Sequence, residues 1–94
     1  MYLRVNHARF DPARYDEVQR LTPEIMAAIQ QIPGCMGVEH AMNRTSGRAV
    51  TISRWPTEDH ATATAPREHI PEVIARLKAE GLEYKSFEIY EVIP

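Results

Sequence analysis

The sequence predicts an α+β domain of the ferredoxin-like βαββαβ arrangement, a four-stranded antiparallel sheet with helices on one face. Three observations predict it. Four segments alternate with a period of two: Tyr2 to Phe10, Cys35 to Asn43, Arg48 to Trp55, and Tyr84 to Ile93. One apolar stripe at helical spacing (Tyr15, Val18, Leu21, Ile25, Ile29, Ile32) separates the first two. A second, broken helical pattern, ending in Val73, Ile74 and Leu77, separates the last two. No repeat, linker or low-complexity run interrupts this order, so residues 1–94 read as one domain.

Each element carries its own start and stop signals. Asp11-Pro12 ends the first strand and opens the first helix, with Asp suited to the cap and Pro to the first helical position. Pro23 lies inside the apolar stripe, removes a backbone donor, and predicts a kink or a split after Thr22. Pro33-Gly34 closes the helix. Arg44-Thr45-Ser46-Gly47 supplies the turn that joins the second and third strands as a hairpin. Thr57-Glu58-Asp59 starts a short Ala/Thr-rich helix interrupted by Pro66 and Pro71, and the helix that follows stops at Gly81.

Alternation also assigns faces. One sheet face collects Leu3, Val5, Met36, Val38, Val50, Ile52, Phe87 and Ile89, and the other collects Tyr2, Asn6, Thr51, Ser53, Trp55, Tyr84, Glu88 and Tyr90. With helices over the polar-aromatic face, the aliphatic face is left to be covered. A second copy of the chain is the expected cover, two sheets packing face to face in a homodimer.

The charge balance excludes some partners. Eleven Lys and Arg against thirteen Asp and Glu give a net charge of −2, and the basic residues are scattered, which argues against nucleic acid. No apolar run nears the ~20 residues that span a bilayer, and Met1 leads directly into a strand-like segment, so neither a membrane span nor a leader is expected. The single cysteine, Cys35, forms no internal disulfide and fits a reducing, cytoplasmic setting.

The chain resembles the antibiotic biosynthesis monooxygenase-like family of dimeric α+β barrels, over essentially its whole length. The resemblance rests on Val5-Asn6 in the first strand, Pro33-Gly34-Cys35 entering the second, Ile52-Ser53-Arg54-Trp55 closing the third, and Ala65-Pro66-Arg67-Glu68-His69 after it. It implies a pocket between sheet and helices, closed by dimerisation. It leaves the ligand open: the family includes cofactor-independent monooxygenases of polycyclic phenols, quinol-type oxygenases, haem-degrading enzymes and isomerases.

Strand parity brings Asn6 and Trp55 together, and the broken helix is expected to fold His69 back over them. Metal-free oxygen insertion starts with deprotonation of an electron-rich phenol, whose anion passes an electron to dioxygen. His69, with an ordinary pKa of about 6.5, is the expected base. Asn6 is expected to stabilise the oxyanion, and Trp55 to stack on the ring and exclude water. Ser53, Tyr84 and Tyr90 are the expected substrate contacts, on a small aromatic ligand, with no cofactor and no metal.

Plainer roles stand beside these. Trp55 fits a core plug, His69 a cap after Pro66, Asn6 a group satisfying a kinked strand, and Tyr84 and Tyr90 edge packing. A non-catalytic ligand-binding or regulatory barrel would use the same pocket. His7 and His40 are expected on the aliphatic side, and no spacing matches a zinc site. In the haem-degrading branch a strand-one Asn and a strand-end Trp accompany an iron-binding His. Asn6 and Trp55 match, whereas His69 falls about one helical turn late, with Ala65 nearer the expected place. Cys35 has no activating cation beside it in sequence, and Glu58-Asp59 fits a helix-start charge pair better than a carboxylate dyad.

Overall fold

The computed structural model describes residues 1–63 and 70–94. Pro66 and His69, and with them the Ala65–His69 stretch of the resemblance, lie outside the described residues. The elements are β1 (Tyr2–Arg9), a 3-10 turn (Pro12–Arg14), α1 (Tyr15–Gln30), β2 (Gly37–Met42), β3 (Arg48–Trp55), α2 (Glu58–Ala63), α3 (Pro71–Ala79) and β4 (Glu83–Glu91). The strands form one sheet in the order β2-β3-β1-β4, every neighbouring pair antiparallel. This is the predicted ferredoxin-like α+β fold. No helix among the described residues is long and apolar enough to cross a membrane.

Local chemistry accounts for the boundaries. The Asp11 carboxylate accepts the Ala13 N–H at 2.9 Å and opens the helical segment as a cap does. The stripe then buries Val18, Ile25 and Ile29, and Ile32 continues it just beyond the helix. Helix α1 continues through Pro23 as one element, so of the kink or split expected there the split does not occur. Full burial of Val18 and Ile25 on either side holds the turn together despite the missing donor. In the hairpin, Asn43 Oδ1 accepts the N–H groups of Thr45 and Ser46, at 3.0 and 2.9 Å. Gly47 follows at φ +74°, where a Cβ would stand 2.3 Å from the carbonyl oxygen of Phe10. Only glycine fits there.

The core lies between the sheet and the helices. Ala8, Ala49, Trp55, Val18, Ile25, Ile29, Ala61, Leu77 and Leu82 close it. Pairing register fixes which side chains face it, because directly opposed residues share a face. Arg4 opposes Ser53 and Ile89, Asn6 opposes Thr51 and Phe87, Val38 opposes Ser53, and His40 opposes Thr51. All of these therefore face the helices.

The register corrects the predicted faces on both edge strands. Val38 and His40 on β2, and Phe87 and Ile89 on β4, belong to the helix side, whereas alternation placed them with Leu3 and Val5. Glu88 and Tyr90 oppose Val5 and Leu3 and therefore lie on the open side, not beside Asn6. Matching apolar to apolar gave the wrong phase, since the hairpin turn sets β2 and the pairing with β1 sets β4. A register shift between His7 and Ala8 then brings Tyr84 opposite Ala8. This irregularity separates Tyr84 from Tyr90, although the two are an even number of residues apart. The open side of the two central strands retains Leu3, Val5, Val50 and Ile52, all half-buried, as expected.

Candidate functional site

The helix-facing side of the sheet carries more polar side chains than a sealed core requires. Arg4, Asn6, Thr51 and Ser53 are all buried there, with Thr51 and Ser53 at 0% and 2% exposure. Each is satisfied by a neighbour from another element or from its own strand, as buried polar groups must be.

Arg4 organises one half. Its Nε donates to Asn6 Oδ1 at 3.3 Å, and its Nη1 donates to the carbonyl oxygens of Ala61 and Thr62 at 2.8 and 3.3 Å. The guanidinium lies over the Phe87 ring, 3.9 Å from its centroid. A buried cation is thus held by end carbonyls of α2, an amide and an aromatic face, three environments that favour positive charge. With Asn6 Oδ1 turned to Arg4, the amide NH2 is the edge that remains to donate to a ligand.

A second group runs across three strands. Thr51 Oγ1 lies 2.9 Å from His40 Nδ1 and 3.2 Å from Tyr84 Oη. Tyr84 reaches Thr51 from β4 by passing over β1, where Ala8 is small enough to allow the crossing. His40 Nε2 is buried without a hydrogen-bond partner among the described residues. Burial pushes the His40 pKa down and the Tyr84 pKa up, the Thr51 hydroxyl partly opposing the latter. Both groups are thereby held neutral at physiological pH.

Trp55 sits at 1% exposure in the core cluster, and its Nε1 donates to Ser53 Oγ at 2.8 Å. Its indole N–H and the Ser53 hydroxyl are engaged with each other. Of the residues named from sequence, the structure brings Asn6, Ser53, Trp55 and Tyr84 to one face. It places Tyr90 on the opposite face, 46% exposed and hydrogen-bonded to Glu88. His69 lies outside the described residues.

Arg4, Thr51 and His40 were not selected from sequence as site residues. For Arg4 the available signal is a strand arginine sharing inward parity with Asn6, two residues on. His40 was put on the wrong face by the phase error of β2. His60, by contrast, is an exposed first-turn residue whose Nδ1 lies 2.6 Å from Thr57 Oγ1. Its ring packs so closely on Gly34 (φ +92°) that a Cβ there would meet His60 Cδ2 at 2.6 Å. Cys35 is half-buried, its Sγ 3.6 Å from the Gly37 carbonyl oxygen.

No family model matches the chain. Over 43 residues, 46% of the chain, it is 40% identical to an uncharacterized protein of Mycobacterium tuberculosis (strain ATCC 25618 / H37Rv), Rv2558, and the match spans 18% of that protein's length. Among solved structures it is similar to an antibiotic biosynthesis monooxygenase, with a TM-score of 0.76 and 19% identity over 100% of both chains. It is also similar to SnoaB, a cofactor-independent oxygenase from Streptomyces nogalater, with a TM-score of 0.67 and 18% identity over 97% of this chain and 91% of that one. The chain therefore has the ferredoxin-like α+β fold of the antibiotic biosynthesis monooxygenases.

Proposed function

We propose that this chain is a member of the antibiotic biosynthesis monooxygenase-like family and oxidises a small aromatic or quinol-type compound without metal or flavin. The observation that carries this reading is the buried polar face: Arg4, Asn6, Thr51 and Ser53 lie buried beneath the helices, with Tyr84 hydrogen-bonded to Thr51, on a fold shared with a protein named as a cofactor-independent oxygenase. In the proposed reaction, an anthrone-type substrate loses a proton and its carbanion passes an electron to dioxygen. The two radicals combine, and loss of water from the peroxide leaves a new carbonyl. One oxygen atom ends in the product and one in water.

Asn6 donates to the substrate oxyanion, and the fixed positive charge of Arg4 behind it favours that anion. Trp55 walls the site against water from the core side, with Ser53 fixing its ring. The proton acceptor expected from sequence is His69. In the same reading, a second copy covers the open sheet face through Leu3, Val5, Val50 and Ile52. Dimerisation supplies burial that a domain of this size lacks alone.

The test is oxygen consumption by metal-free protein against anthrones, naphthols and dihydroquinones. Uptake above the uncatalysed rate, lost in Asn6→Ala, supports the reading. Absence of uptake, with the same compounds still quenching Trp55 fluorescence, favours a binding barrel instead.

A further inference from the structure

We propose that Tyr84, Thr51 and His40 form a proton relay that deprotonates the substrate, with His40 as the terminal acceptor and Tyr84 as the group that touches substrate. The proposal rests on the aromatic-substrate reading above and specifies where its proton goes.

The geometry has four parts. The three side chains come from β4, β3 and β2, and their polar atoms are spaced at 3.2 and 2.9 Å, both hydrogen-bonding distances. Thr51 is fully buried, so its hydroxyl has no water to exchange with and joins the other two directly. Asn6 is the residue opposite Thr51 on β1 and shares its face, so the oxyanion donor stands beside the relay. Finally, Tyr84 is partly buried and ends the row on the side away from His40.

A satisfied core would not need this arrangement. A histidine placed only to cap Thr51 would be expected to use both ring nitrogens or to expose the second. Here Nε2 is buried and unmatched among the described residues. That cost is intelligible if Nδ1 must be the accepting nitrogen, which fixes the proton on Nε2 in the resting state. Burial lowers the ring's pKa, so it rests neutral with a lone pair on one ring nitrogen.

The step balances without an oxidant. The substrate proton passes to Tyr84 Oη as the tyrosine's own proton passes to Thr51 Oγ1, and the threonine's proton passes to His40 Nδ1. The substrate becomes an anion held by Asn6, and His40 becomes an imidazolium. No electron moves until dioxygen arrives. Tyr84 is the catalytic residue of the three; Thr51 and His40 act through it.

Two experiments test the relay. In the first, long-range 1H–15N correlation of the His40 ring in the unliganded protein is expected to show the Nε2–H tautomer. An Nδ1–H tautomer overturns the relay, because that nitrogen then has no lone pair to accept with.

In the second, anaerobic stopped-flow mixing with dithranol, an anthrone, reads the visible band of its anion. Thr51→Val, which keeps the shape and removes the hydroxyl, is expected to slow anion formation about 100-fold, and His40→Gln likewise. Thr51→Ser restores the hydroxyl and is expected to stay within about threefold of wild type. A packing role for Thr51 predicts the reverse order for Val and Ser. Circular dichroism at the assay temperature confirms that each variant is folded. Wild-type rates in Thr51→Val, or no anion in the wild type, overturn the relay. Anion formation with this pattern, but no oxygen uptake on admitting air, leaves the relay standing and removes the monooxygenase reading.

Discussion

The pairing of Trp55 with Ser53 makes a prediction whose size follows from the structure. The indole is 1% exposed, and its only N–H donates to a hydroxyl at 2.8 Å on a residue that is itself 2% exposed. Ser53→Ala removes the acceptor and leaves a buried indole N–H unsatisfied, a cost of about 1–3 kcal/mol. Trp55→Phe removes the donor together with part of a large buried ring. It is expected to cost about 1–3 kcal/mol, less than the ~3–5 kcal/mol of a full truncation to alanine. Once the donor is gone, Ser53→Ala has nothing left to strand and is expected to cost about 0.5 kcal/mol or less. The double-mutant cycle should therefore show a coupling of about 1–2 kcal/mol. The assay is urea unfolding followed by far-ultraviolet circular dichroism at one fixed protein concentration, because Trp55 is the sole tryptophan and is lost in half the cycle. Single mutants whose costs add to within about 0.3 kcal/mol would refute the buried hydrogen bond, and with it the account of Trp55 as a fixed wall.

Further predictions concern the turn, the buried histidine and the open face. Gly47→Ala puts a Cβ 2.3 Å from the Phe10 carbonyl oxygen at φ +74°. It is expected to cost about 2 kcal/mol or more, read as a melting temperature lowered by roughly 10 °C or more for a domain this size. Burial holds His40 below the ordinary pKa of about 6.5, so the unfolded chain takes up the proton first as pH falls. Stability attributable to His40 is thus present above about pH 6.5 and is lost as pH falls from there towards the folded-state pKa. The difference in unfolding free energy between wild type and His40→Gln should shrink over that window, and a difference that is flat with pH contradicts the burial. Ile52→Glu places a charge at the centre of the open sheet face. It is expected to convert a dimer into a monomer in light scattering at micromolar concentration, and a wild type that is itself monomeric sinks the proposed cover.

What was legible in the sequence follows from which constraints are local. The Asp11 cap, the hairpin turn closed by Gly47 and the α1 stripe all act within a few residues, and each stands in the structure as the sequence predicts. Element order and the inward parity of β1 and β3 were legible for the same reason, since each of those strands alternates without interruption. The edge strands were not. Their phase depends on pairing partners, and the register shift between His7 and Ala8 sends Tyr84 and Tyr90 to opposite faces in a way no periodicity can reveal. The consequence was functional: the phase error hid His40, and with it the row through Thr51. Pro23 shows a different limit. A local breaker does not divide the helix where the residues around it are buried. Arg4 was visible but uninterpreted, because its role depends on α2 carbonyls fifty-seven and fifty-eight residues away.

The central claim, oxygenation of an aromatic anion held at Asn6 beneath the helices, is tested most directly by oxygen consumption. Metal-free wild-type protein and Asn6→Ala are compared at neutral pH across anthrones, naphthols and dihydroquinones, with the uncatalysed rate subtracted. The account predicts uptake by the wild type on at least one of these classes and a fall of about 100-fold or more in Asn6→Ala, the loss expected for one oxyanion donor. Uptake that is unchanged in Asn6→Ala, or no uptake by the wild type on any of them, contradicts it.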